Sequence, residues 1–128
     1  MENLVIEATS KTPDVFLSGD GNLSINGKMY DEDSLGFFTP IIEWIEKFNA
    51  AKVNFDIKLD YLNTSGSKML FTMLRIMDEN CEIGEINIKW HYEMDDEDHL
   101  EVGEYFQESL TRTKFEFLGI EVSKNAAA

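Results

Sequence analysis

Between Lys52 and Tyr61 the chain alternates apolar and polar residues without a break. Val53, Phe55, Ile57, Leu59 and Tyr61 fall on one side, and Lys52, Asn54, Asp56, Lys58 and Asp60 on the other. The pattern repeats from Ile86 to Glu93, where Ile86, Ile88, Trp90 and Tyr92 oppose Asn87, Lys89, His91 and Glu93. A period of two is the signature of a strand with one dry face and one wet face. Two such strands cannot lie in a sheet covered by helices on both sides, because doubly covered strands read as continuous apolar runs.

The segment between them has a different period. Met69, Leu70, Met73, Leu74 and Met77 recur at three and four, a helical stripe that fades at Asp78-Glu79-Asn80. A second stripe, Phe38, Ile41, Ile42, Ile45 and Phe48, predicts a helix from Ser34 to Phe48, capped by Ser34 or Thr39. Pro40 interrupts it and is expected to kink the helix or restart it at Thr39. After the second strand, the acidic MDDED leads into a helix carrying Leu100, Val102, Tyr105, Phe106 and Leu110, and KFEFLGI closes with a short strand. Strand, helix, strand, helix, strand from Lys52 onward calls for right-handed crossovers between parallel strands. Ahead of it, LVIEA, VFL and LSI read as short strands, with a hairpin reversal at Ser18-Gly19-Asp20-Gly21-Asn22 and a turn or bulge at Asn26-Gly27. The expected fold is a mixed α/β sheet: an N-terminal hairpin region beside a βαβαβ half, with helices mainly on one face, all in one domain over residues 1–128. The closing NAAA is set aside as tail.

Charge narrows the partners. With 11 Lys and Arg against 25 Asp and Glu, a net −14, the chain repels nucleic acid and anionic lipid. No stretch approaches the roughly 20 apolar residues of a membrane span, and the start lacks the basic-then-apolar order of a secretory signal. A cytoplasmic protein is expected. Cys81, the only cysteine, forms no internal disulfide.

Chemistry is sparse. Glu93, Asp95, Asp96, Glu97 and Asp98 lack the glycine and the spacing of a calcium loop, and acids at a helix start are favoured by its dipole. His91 reads as an exposed strand histidine, and Trp90 and Tyr92 as core. Gly19 and Gly21 form a GxG with no helix behind it, hence a turn. Neither Thr64, Ser65 nor Cys81 has an evident base with an orienting group behind it, so neither an enzyme nor a cofactor or metal site is expected.

The stretch LDYLNTSGSKML, residues 59–70, stands out. It places Asn63, Thr64 and Ser65 between a strand and a helix starting at about Ser65, at the carboxyl end of a parallel strand, where open α/β sheets carry their sites. Any of the three can cap the helix. Two successive hydroxyls nevertheless exceed what one cap needs. Gly66 permits close approach of another backbone, and a phosphate here would meet free N–H groups and the positive end of the helix dipole. Lys68, four residues after Thr64, is spaced to pair with it. A phosphorylation-controlled binding module, a small-molecule or enzymatic domain at the same strand end, and a constitutive interaction protein whose hydroxyls only cap all fit these residues.

YLNTS at 61–65, DSLGFFTPIIEWIEKF at 33–48, INIKWHYE at 86–93 and the early TPDV…GNLSINGKMY together resemble the SiaC-type bacterial regulatory phosphoproteins, relatives in fold of the STAS domains of anti-anti-sigma factors. The similarity runs from about Thr12 to Ile120. It implies a STAS-like regulator, phosphorylated by a serine/threonine kinase at the threonine of LNTS, here Thr64, and dephosphorylated by a metal-dependent protein phosphatase. It further implies an effector bound by the unphosphorylated form, in the best-known case a diguanylate cyclase whose cyclic di-GMP output controls aggregation and biofilm; the alternative is an antagonist of the anti-anti-sigma type. Tyr61, Asn63, Ser65, Gly66, Ser67 and Lys68 then form the turn and the partner surface around the phosphoacceptor. The sequence departs from the family pattern at Gly66, where a further serine is common, and at Asp31, where proline is expected.

Overall fold

A computed structural model describes residues 1–121; the NAAA tail lies outside the described residues. One six-stranded sheet runs in chain order, β1 (Leu4–Ile6), β2 (Asp14–Leu17), β3 (Asn22–Met29), β4 (Lys52–Leu62), β5 (Glu85–Glu93) and β6 (Lys114–Ile120). The first three strands pair antiparallel, and β3 through β6 pair parallel. Helices α1 (Ser34–Glu46), α2 (Thr64–Glu79) and α3 (Glu97–Ser109) make the three crossovers. Because each crossover joins neighbouring strands in the same direction, a common right hand puts all three helices on one face.

The alternation of the strands follows from this. Val53, Phe55, Ile57, Ile86, Ile88 and Trp90 are buried beneath the helices with Phe38, Ile41, Ile45, Leu70, Met73 and Met77. The opposite face carries polar rows across the register, such as Asn22, Asn54, Asn87 and Lys114. His91 lies on that face but is not free: its Nε2 stands 2.9 Å from Asp56 Oδ1 on β4.

Four expectations are corrected. Helix α1 runs through Pro40 without restarting. Pro40 and Gly36, whose carbonyl loses its helical partner, are both exposed, so the missing bond falls on the solvent side of the helix. Its cap is neither Ser34 nor Thr39 but Asp33, whose Oδ1 accepts from Gly36 N at 3.0 Å; Thr39 instead donates to the Leu35 carbonyl. At Asn26-Gly27, of the two readings, turn or bulge, the bulge holds, with the extra residue on the facing strand β4. The register jumps there from Gly27 opposite Leu59 to Lys28 opposite Tyr61, leaving Asp60 over, and Gly27 has φ 130°. The extra residue reverses the alternation of β4, so Tyr61 leaves the buried stripe and is 46% exposed. Finally, Tyr105 is 63% exposed while His99, absent from the expected stripe, is buried and stacked on Trp90 at 4.8 Å.

The fading end of α2 hides a structural clamp. Asp78 is 7% exposed and accepts from Thr111 N and Oγ1, Arg112 N, and Thr113 N and Oγ1, all within 3.1 Å. Arg112 in turn donates to the carbonyls of Met77, Asp78, Asn80 and Gly84, closing the helix end. Burial alone would push the Asp78 carboxyl up, but hydrogen bonds from Thr113, Thr111 and Arg112 outweigh it and hold the pKa at about 2. A pKa lower in the folded than in the unfolded chain stabilises fully above the unfolded value, here near 3.8, and is lost as pH falls towards 2. In urea unfolding between pH 5 and pH 2, wild type should lose about 2 kcal/mol more than Asp78→Asn does. At neutral pH, Asp78→Ala should cost about 3 kcal/mol, since it strands buried donors.

Candidate functional site

Three loops lie at the carboxyl ends of parallel strands β3, β4 and β5, and each opens a helix. The β4 strand delivers Asn63 in extended conformation as the N-cap of α2, its Oδ1 accepting from Gly66 N at 2.8 Å and its carbonyl from Ser67 N at 2.9 Å. The same side chain donates through Nδ2 to the Asp31 carbonyl at 3.0 Å, while Asn63 N donates to Met29 O. One residue thus caps α2 and ties it to the loop that opens α1.

Ser65 completes that tie. Its Oγ lies 2.7 Å from the Oγ of Ser34, a buried residue on the first turn of α1. The helix begins one residue earlier than expected, at Thr64. Asn63 holds the cap and Ser65 the bridge, so Thr64 is left exposed, with its hydroxyl bonded to no described residue. Thr64 and Ser65 occupy the free end of α2, where backbone N–H groups have no helical acceptor and the dipole is positive.

Gly66 does not leave the surface open; it is buried. A Cβ there would stand 2.7 Å from Met29 Cγ and 2.7 Å from Asn63 Oδ1, so the bare backbone lets the first turn of α2 rest on the end of β3. Tyr61, turned outward by the bulge, stacks on Tyr30 with ring centroids 4.4 Å apart, forming an exposed aromatic pair beside the turn. Ser67 and Lys68 lie on the side of α2 that faces α3. Of the residues expected around the turn, Asn63, Ser65 and Gly66 meet in the cap, whereas Tyr61 pairs with Tyr30 and Ser67 and Lys68 turn towards α3. The sequence reading missed the contributions of Ser34, Asp31 and Tyr30. The paired spacing Asp33-x-x-Gly36 and Asn63-x-x-Gly66 was the available signal, since it marks two helix heads built alike.

The electrostatic setting is acidic. The β3–α1 loop carries Asp31, Glu32 and Asp33, and the β5–α3 loop carries Asp95 and Asp96, with Glu97 and Asp98 opening α3. Asp96 is the cap of α3, accepting from His99 N at 3.1 Å. Burial lowers the His99 pKa, against the opposing pull of Asp96 and Asp60. Among the described residues no group of three or more His, Cys, Asp or Glu is placed to hold a metal ion, and no helix is long and apolar enough to cross a membrane.

Over residues 6–120 the chain matches the profile of the SiaC family regulatory phosphoproteins. It belongs to that family. Among solved structures the fold is similar to SiaC of Pseudomonas aeruginosa, with a TM-score of 0.81 and 28% identity, covering 94% of this chain and all of that one. It is likewise similar to a chain of a structure described as diguanylate cyclase SiaD in complex with its activator SiaC, from the same species. There the TM-score is 0.76 at 31% identity, over 91% of this chain and 99% of that one. A protein of P. aeruginosa strain UCBPP-PA14 described as uncharacterized is 35% identical over 118 residues, 87% of this chain and 92% of the relative. The STAS-like mixed sheet with helices on one face is the architecture that SiaC-family membership implies.

The division of labour at the turn is measurable in stability alone. Asn63→Ala should cost about 1 to 2 kcal/mol in urea unfolding. Thr64→Ala, which removes an unbonded exposed hydroxyl, should stay within about 0.5 kcal/mol of wild type. Gly66→Ser should cost about 1 to 3 kcal/mol, from the collision with Met29 and the cap.

Proposed function

We propose that this SiaC-family protein is a partner-switching regulator whose unphosphorylated form binds and activates a diguanylate cyclase, and that phosphorylation of Thr64 by a serine/threonine kinase blocks the interaction. A metal-dependent phosphatase restores it. The observation that carries the reading is the exposed Thr64 hydroxyl, free because Asn63 already caps the helix and Ser65 already bridges to α1. A side chain with no structural duty, at the head of a helix and reachable from solvent, can be modified without unfolding anything. The relative described as an activator in complex with a diguanylate cyclase supports the class of effector.

The energetics suit a switch. A phosphothreonine brings about −1.5 to −2 charges at neutral pH. Within this chain it is stabilised by the α2 dipole and by Lys68 one turn on, so the modified protein stays folded. For a partner docked flush on the turn, the same phosphate must be desolvated against a surface already rich in carboxylates. A penalty of only about 3 kcal/mol weakens binding by more than a hundredfold.

The test is binding of purified protein to each diguanylate cyclase of the same cell, with cyclase activity followed alongside. Thr64→Ala should bind and activate as the unphosphorylated wild type does, and Thr64→Glu should bind at least about a hundredfold more weakly. Equal binding by wild type, Thr64→Ala and Thr64→Glu contradicts the reading.

A further inference from the structure

The two edges of the sheet differ. On one side β1 is three residues long and offers little to pair with. On the other, β6 runs for seven residues in unbroken register with β5, without proline and without a bulge. Among the described residues no strand pairs with its outer side, so a row of backbone N–H and C=O groups about 23 Å long is left open. Its side chains do little to guard it. Lys114 is tied to Glu85 on β5 at 3.4 Å, and Glu116 is the only other charge on the strand. Phe115 and Phe117 are half-buried on the helical face with their rings stacked at 5.8 Å. Leu118 and Ile120, in register with His91 and Glu93, stay partly exposed on the open face.

We infer that the β6 edge pairs antiparallel with the β6 edge of a second copy of this chain, about a two-fold axis, joining the two six-stranded sheets into one. The strand itself argues for this occupant. With Phe117 on the axis all seven residues pair: Lys114 faces Ile120, Phe115 faces Gly119, and Glu116 faces Leu118. No like charges stand opposite each other. Each Phe115 comes to lie over the bare backbone of the other copy's Gly119, the way an aromatic ring covers an edge glycine. Moving the axis to Glu116 sets that carboxylate against its own copy, and moving it to Leu118 leaves Lys114 and Phe115 unpaired. An axis at Phe115 matches Lys114 with Glu116 but keeps only three of the seven residues in the ladder.

The net −14 of each copy opposes association, and a pair of short strands is smaller than a standard interface. Association is therefore weak, with a dissociation constant on the order of 100 μM. Salt should strengthen it, because screening removes the long-range repulsion while the edge itself carries one charge of each sign. Antiparallel pairing points the strand ends of the two copies in opposite directions, so both Thr64 turns stay free. The inference is independent of the switch.

The test is sedimentation equilibrium of the full unphosphorylated chain from micromolar to millimolar concentration, at about 0.02 M and about 0.3 M salt. Wild type should pass from monomer to dimer, with more dimer in the higher salt. Leu118→Glu sets a carboxylate opposite Glu116 and should weaken the dimer by about tenfold, whereas Leu118→Lys sets an ammonium there and should hold it at the wild-type level or above. Leu118 lies outside the buried core, so both variants should melt near the wild-type temperature. Asn54→Glu adds the same charge two strands from the edge and should stay within about twofold of wild type. In wild type, amide hydrogen exchange within β6 should slow as concentration rises. A chain that stays monomeric throughout, or one in which Leu118→Glu and Leu118→Lys dimerise equally, overturns the inference. Exchange in β6 that slows only when another protein is added assigns the edge to that protein and overturns self-pairing.

Discussion

The hand of the three crossovers governs this molecule. Strands β3 to β6 are parallel neighbours in chain order, so every right-handed connection returns on the same side. One consequence is a sheet with a single dry face, for which half the residues of each strand suffice. The other is positional: every helix starts at the same edge. The heads of α1, α2 and α3, with their unfilled N–H groups and positive dipole ends, are gathered where β3, β4 and β5 finish. A regulatory turn placed there can touch two helices at once.

Side-chain chemistry then separates fixed from free. Asn63 uses both ends of its amide, the oxygen for the α2 cap and the nitrogen for the loop leading into α1. Ser65 and Ser34 join the two first turns, and Gly66 lets them settle on Met29. The scaffold is therefore complete without the Thr64 hydroxyl. A modification site needs that independence, because a group that holds the fold together cannot also be altered as a signal. Under the proposed switch, the acidic surroundings would amplify the effect of a phosphate on a partner, while Lys68 and the helix dipole would limit its effect on the protein itself.

Much of this was legible in the chain because it is local. The alternations in β4 and β5, the stripes of α1 and α2, and the turn at Asn63 depend on residues a few positions apart. What escaped the sequence depends on contacts across the fold. Tyr61 continues a faultless alternation, yet a bulge forced by pairing with β3 at Gly27 turns it outward. Pro40 breaks the rule for helix interiors because Gly36 and its carbonyl happen to face water. Asp78 looks like the solvated end of a helix and is buried only because the Thr111–Thr113 segment folds over it. At the candidate site the same division holds: the hydroxyl pair was visible, but which hydroxyl was spare depended on Ser34, thirty-one residues upstream of Ser65.

The central claim is that Thr64 is the switched position, and the most direct measurement is peptide mapping by mass spectrometry of the protein taken from its native cell, with phosphatases inhibited, across several growth states. The account predicts a phosphate on Thr64 whose occupancy changes with state while Ser65 and Ser34 stay unmodified. A chain that carries no phosphate in any state, or carries it on Ser65 in place of Thr64, contradicts it.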